Sequence, residues 1–228
     1  MTVPRCLVII PDRNRTWAKS MGLPEIWGHT KGVENSRQII RAAFDSGVQH
    51  VVLWAASELN LKKRPLVEIR HLFRLLKLEL RRRLRQPEEI GFRLIGTWQQ
   101  HHPDPELSRL AAELENRTSG FTDKQLTILF GYSGLTELIY AFNSAVSART
   151  EVTKESLHQH FWTGFLPDID LIIRTGVDND LHWSDWLLLL QMGNAVIYPS
   201  ALRWPEFSVA ELNKAFEYYG KHPRKLGA

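Results

Sequence analysis

Apolar and polar positions alternate along this chain in two rhythms. Short apolar runs at 7–10, 50–56, 92–96, 126–132, 169–174 and 195–198 read as strands. The second, fourth and fifth are nearly continuous, the pattern of strands covered on both faces. Between them, stretches at about 30–46, 66–86, 104–116, 134–148, 153–163, 184–193 and 208–220 read as helices. The alternation predicts an α/β fold, a central and mainly parallel six-stranded sheet flanked by helices. No linker, low-complexity tract or repeat divides residues 1–228, which read as a single domain. In the 66–86 stretch, Leu66, Ile69, Leu72, Phe73, Leu76 and Leu80 form one apolar stripe. The stripe suits packing on the sheet; the wall of an apolar tunnel is the alternative.

In an open parallel sheet, ligands bind outside the carboxyl ends of the strands. Asp12, Asn14 and Arg15 follow the first run, and Ser57, Asn60 and Arg64 follow the second. Arg174, Thr175 and Gly176 close the fifth, and 199–205 follow the sixth. One carboxylate among arginines, amides and hydroxyls fits a diphosphate with Mg²⁺. The first loop, 11–16, leads into a helix predicted to begin near Trp17, and a helix start favours anions. His29 opens a helix close to that loop, where it either contacts an anion or caps the helix.

Composition narrows the reading. The apolar share of 43% and charged share of 24% describe an ordinary globular protein. A net charge of +4 suits anionic small molecules. The single cysteine, Cys6, excludes an internal disulfide and lies in an apolar run, where it is inert. There is no signal-peptide pattern and no apolar run long enough to span a bilayer, so a cytoplasmic location without a transmembrane segment is expected. GxGxxG, GxxxxGK[ST], HExxH and GxSxG are all absent from the sequence. The basic run Arg81, Arg82, Arg83 and Arg85 ends one helix and has no interleaved aromatics, so nucleic acid is not an expected partner.

Three motifs carry a family resemblance. They are PDRNRTWA at 11–18 followed by Gly28-His29, LWAASELNLKKRP at 53–65, and DLIIRTG at 170–176 with SDWLL at 184–188 and LRWPEF at 202–207. In this order they resemble the cis-prenyltransferases, the undecaprenyl diphosphate synthase family. The resemblance implies condensation of an allylic diphosphate with isopentenyl or dimethylallyl diphosphate. It implies Asp12 as the Mg²⁺ ligand, and Asn14 as a catalytic contact to the allylic diphosphate. Arg13, Arg15, Thr16, Trp17, His29, Ser57, Asn60 and Arg64 would line the substrate site. Arg174 and Ser184 would hold the second diphosphate. It also implies a homodimer with an apolar tunnel for the growing chain.

The departures fall in the site. Arg13 stands where the family has glycine, and Thr16 and Glu25 stand where it has arginines, Arg15 being a neighbouring substitute for the first. Leu59 and Leu61 replace Glu and Trp of the second motif, and Lys63 is inserted. After Gly176 an arginine is missing, with Asp180 and His182 nearby. Val196 replaces a glutamate expected as the partner subunit's metal ligand, and Leu135 an arginine. An ionisation motif beside an eroded acceptor motif points to a specialised member: irregular coupling, cyclisation, or another acceptor. A non-catalytic partner subunit of a heteromeric prenyltransferase is the competing expectation.

Overall fold

The computed structural model describes residues 2–86, 89–149, 151–178 and 184–222. In chain order they form β1 (Cys6–Ile10), α1 (Asn14–Ser20), α2 (Glu25–Asp45), β2 (His50–Ser57), α3 (Glu58–Lys63), α4 (Leu66–Arg85) and β3 (Gly91–Ile95). There follow α5 (Trp98–His101), α6 (Pro105–Thr118), β4 (Gln125–Tyr132), α7 (Gly134–Ala148), β5 (Leu171–Thr175), β6 (Val196–Ser200) and α8 (Val209–Lys221). The six strands make one sheet in the order β3-β4-β2-β1-β5-β6. Every pairing in it is parallel.

Strand side chains alternate between the two faces, as a pleat requires. Leu7 and Ile9 of β1, Val51 and Leu53 of β2, and Leu171 and Ile173 of β5 pack under α2, α4, α6 and α8. Cys6, Val8 and Ile10, with Val52, Trp54 and Ile172, join Leu166, Leu187 and Leu188 on the opposite face. The Cys6 side chain is buried. All five residues of β1 and of β5 are buried, which is why β1 reads as an unbroken apolar run and β5 as one up to Arg174.

Three helices differ from the sequence reading. The 30–46 helix begins at Glu25, so His29 lies inside α2 instead of opening it. The 153–163 stretch holds only a 3-10 turn, Leu157–His160. The 184–193 stretch is a series of turns, with Asp185, Trp186 and Leu188 at φ of 51°, 54° and 48°. These conformations are rare without glycine and are sustained by tertiary packing. The α7 start holds them, since Gly134 N–H donates to the Asp185 carbonyl at 3.0 Å. A Cβ at Gly134 would meet the Trp186 carbonyl oxygen at 1.7 Å. Deeper in, Glu137 of α7 accepts from the Thr163 backbone at 2.7 Å and its hydroxyl at 2.9 Å, and from Tyr132. Gln191 donates to the Thr163 carbonyl at 2.8 Å, closing the network. Burial raises the Glu137 carboxyl above the usual range.

Candidate active site

From β1 the chain passes to β2 on one side, while β5 passes to β6 on the other. This reversal opens a crevice beyond the carboxyl ends of β1 and β5, the place where such sheets bind ligands. Asp12 and Arg174 meet there, 162 residues apart in sequence, with Arg174 Nη2 and Nε at 3.1 and 3.2 Å from Asp12 Oδ2. The Asp12 backbone is fixed from two sides. Its N–H donates to Thr175 Oγ1 at 2.9 Å, and its carbonyl accepts from Trp204 N–H at 3.0 Å.

The next residue, Arg13, takes φ +68°. Helix α1 then starts at Asn14, three residues earlier than the sequence suggests, because Arg13 is its cap. Asn14 Nδ2 donates to the Pro11 carbonyl at 2.8 Å, and its buried Oδ1 has no hydrogen-bond partner. The loop seats on α2 only because Gly28 and Gly32 lack side chains. A Cβ at Gly28 would lie 2.1 Å from the Asn14 carbonyl oxygen, and one at Gly32 would lie 2.3 Å from Asn14 Oδ1. That seat is the physical content of the Gly28-His29 pair.

His29 is buried, with Nε2 at 2.8 Å from Glu68 Oε1. The same carboxylate takes Arg64 at 3.1 Å and Arg15 at 3.5 Å. Burial pushes the Glu68 carboxyl up, but the His29 hydrogen bond and the charges of Arg64, His29 and Arg15 outweigh it and hold it below the usual glutamate range. Glu68 is thus ionised, and His29 Nε2 carries the proton of that bond. Arg64 Nη2 also donates to Asn60 Oδ1 at 3.0 Å, and Asn60 N–H to Ser57 Oγ at 3.1 Å, capping α3.

These groups line a polar chamber with two lobes. The larger, about 490 Å³, holds Asp12, Arg13, Asn14, Arg15, Thr16, His29, Arg64 and Arg174. The smaller, about 130 Å³, shares Asp12, Asn14, His29, Arg64 and Arg174 and adds Ser57, Asn60 and Ser184. Trp17 lines neither lobe. Asp180 and His182 lie outside the described residues. Val196 starts β6 and Leu135 is exposed on α7, so neither apolar replacement restores a polar group.

Sequence reasoning missed the carboxylates that partner the cations. Arg15 does not stand free to replace the arginine absent at Thr16; it points at Glu25, at 3.4 Å, and at Glu68. Arg13 pairs with Asp178 at 2.8 Å. Each guanidinium of the larger lobe therefore has a carboxylate partner. The available signal for Glu68 was its place four residues after Arg64, a helical ion-pair spacing.

The chamber opens on an apolar cavity of about 100 Å³ between α2, α4 and the sheet. Pro11, Asn14 and His29 line both. Leu72, Leu75, Leu76 and Leu80 of α4 form one wall, so the stripe is partly core and partly cavity lining. Leu66, placed in that stripe by its spacing, is exposed. Glu79, Arg37 and Arg83 line the far end. Asp12 offers a single carboxylate, and no group of three His, Cys, Asp or Glu among the described residues is placed to hold a metal ion. One carboxylate facing a polar chamber fits Mg²⁺, which completes its octahedron with water and substrate phosphate oxygens.

The comparisons agree with this geometry. The family model described as putative undecaprenyl diphosphate synthase matches residues 10–227. The isoprenyl transferase of Aquifex pyrophilus is 32% identical, over 100% of this chain and 97% of the relative. The ditrans,polycis-undecaprenyl-diphosphate synthase ((2E,6E)-farnesyl-diphosphate specific) of Pseudomonas aeruginosa is 34% identical, over 99% of this chain and 91% of the relative. Among solved structures, lavandulyl diphosphate synthase from Lavandula x intermedia, in complex with dimethylallyl diphosphate, superposes with a TM-score of 0.88 at 26% identity, covering 99% of both chains. The chain belongs to the undecaprenyl diphosphate synthase family. Its activity is prenyl transfer on diphosphate substrates.

Proposed function

We propose that the protein joins a short allylic diphosphate to a C5 diphosphate, isopentenyl or dimethylallyl, and stops at a short product. The observation that carries this is the small apolar cavity leading from Asn14 and His29 to a charged end at Glu79, Arg37 and Arg83. A growing hydrocarbon tail meets ions there, and displacing them costs several kcal/mol (about 3–5 for a broken buried pair). The likeness to a structure holding dimethylallyl diphosphate supports a substrate of that size.

In this reading Asp12 would hold Mg²⁺, which would supply Lewis-acid charge to the departing diphosphate. Arg64 and His29 orient that diphosphate, and Asn14 stands where the allylic carbon enters the apolar cavity. The allylic C–O bond breaks with its electron pair on the diphosphate. The cation is sheltered from water by the cavity wall. The double bond of the second substrate then attacks, a C–C bond forms and a proton is shed. Arg174, Ser57, Asn60 and Ser184 in the smaller lobe hold the second diphosphate.

A homodimer is part of the proposal. Leu135, Ile139, Phe142 and Val146 repeat along one face of α7 with 45, 54, 63 and 76% exposure. Such an apolar face needs a partner, and a second copy is the family's mode of assembly. Phe142→Glu with Val146→Glu should convert a dimer into a monomer by sedimentation; a wild-type monomer at micromolar concentration removes this part.

The test of the reaction is incubation with dimethylallyl, geranyl and farnesyl diphosphates, each with and without isopentenyl diphosphate, followed by product mass analysis. A short product supports the reading, and its branching separates regular from irregular union. Long polyprenyl products overturn the size limit, and cyclic products from one substrate alone indicate cyclisation. No turnover by any combination leaves the non-catalytic partner subunit, which the carboxylate partner of each of the chamber's guanidiniums favours.

A further inference from the structure

The four guanidiniums of the larger lobe differ in how firmly they are held. Arg15, as exposed as Arg13 at 45%, and Arg64, at 19%, both reach Glu68, whose side chain is 5% exposed, so it is the carboxylate partners that differ. Arg174, itself 9% exposed, is fixed on Asp12 by two nitrogens. Arg13 is 42% exposed, and its carboxylate, Asp178, is 64% exposed. Exposed pairs of this kind contribute little, so a diphosphate with several charges displaces the carboxylate readily.

Arg13 also sits where a side chain is unfavourable. Its φ of +68° suits glycine, and an ordinary residue there is strained. The side chain lies flat over Gly176: a Cβ on that glycine would meet Arg13 Cγ at 2.1 Å, and Arg13 Nε donates to the Gly176 carbonyl at 3.0 Å. The glycine at 176, with its own φ of +70°, leaves room for the guanidinium to lie across the chamber rim from β1 to β5.

We infer that Arg13 is the exchangeable cation of the larger lobe: it clamps the diphosphate seated at Asp12, and Asp178 is the carboxylate that holds it while the lobe is empty. The inference rests on the proposed reaction for the identity of the diphosphate, but the cation's role concerns any pyrophosphate group. It also accounts for a departure in the first loop, where arginine replaces glycine beside a position that has lost its own arginine.

The test is calorimetric titration with dimethylallyl diphosphate and, separately, inorganic pyrophosphate, on wild type, Arg13→Gly, Arg13→Lys and Asp178→Asn. Arg13→Gly should bind both probes about tenfold more weakly with no loss of thermal stability, because glycine relieves the backbone. Arg13→Lys should recover part of the affinity. Asp178→Asn should bind as tightly as wild type or more tightly, since it removes the competing carboxylate. Unchanged binding by Arg13→Gly overturns the inference. Equal weakening by Arg13→Gly and Asp178→Asn overturns it too, because that is the behaviour of a loop latch. Arg13-dependent pyrophosphate binding by an enzyme that turns over no allylic diphosphate sinks the proposed reaction and leaves this inference standing. A wild type that binds neither probe overturns both.

Discussion

Two glutamates on α4 invite comparison. Glu68 and Glu79 are eleven residues apart, three helical turns, so they face the same way about 16 Å from one another. Each gathers three partners: His29, Arg64 and Arg15 around Glu68, and Arg37, Arg82 and Arg83 around Glu79. Their surroundings differ. The partners of Glu68 line the polar chamber, where an anion can share them. Arg37 and Arg83 line the far end of an apolar cavity. A carboxylate ringed by cations is therefore not a site in itself; what its partners face decides whether it serves binding or closure.

The comparison predicts a division between activity and stability. Asp12→Ala, at the mouth, should cut turnover by about 100-fold or more, the order expected when transition-state charge loses its partner; an unaltered rate would make the chamber a relic. Glu79→Gln should leave three guanidiniums around a neutral group and cost about 3 kcal/mol by urea unfolding, breaking one partly buried network. Its pH dependence sharpens this. Burial raises the Glu79 carboxyl, but Arg82, Arg83 and Arg37 win and bring it down from 4.5 to about 2. A depressed carboxyl stabilises the fold fully above its unfolded value and loses that contribution as pH falls from about 4.5 towards 2. Wild type should lose about 3 kcal/mol over that window, and Glu79→Gln should lack that limb of the curve. Glu68→Gln should do the converse, lowering kcat/KM about tenfold with a smaller change in unfolding, since glutamine still accepts from His29. If Glu68→Gln and Glu79→Gln shift stability and activity alike, the distinction between mouth and far end fails.

Much of this was legible in the chain. Apolar runs placed six strands to within a residue or two; the central strands, buried on both faces, leave the plainest trace. Asp12, Asn14 and Arg174 converge at the carboxyl edge of the sheet, and α2 and the end of α3 bring His29 and Arg64 to them. The turns at 184–193 were not legible. Leu187 and Leu188 are both buried, and an apolar run of that kind has the same pattern in a helix and in left-handed turns pinned by Gly134. The pairing of charges was hidden for another reason. Glu25 and Glu68 lie in the first turns of α2 and α4, where acids are ordinary complements to the helix dipole. Only the fold reveals that they reach Arg15 from two helices.

The position of β1 carries a consequence for synthesis. This strand of five buried residues is made first, yet one of its two neighbours, β5, lies 164 residues later at Leu7↔Leu171. On the ribosome its unpaired edge must wait for most of the chain, an open template for association with other nascent chains. Asp12 meets Arg174 only when that edge closes. The Asp12–Arg174 half of the chamber is therefore completed late, and yield in a cell will depend on how well that edge is shielded during translation.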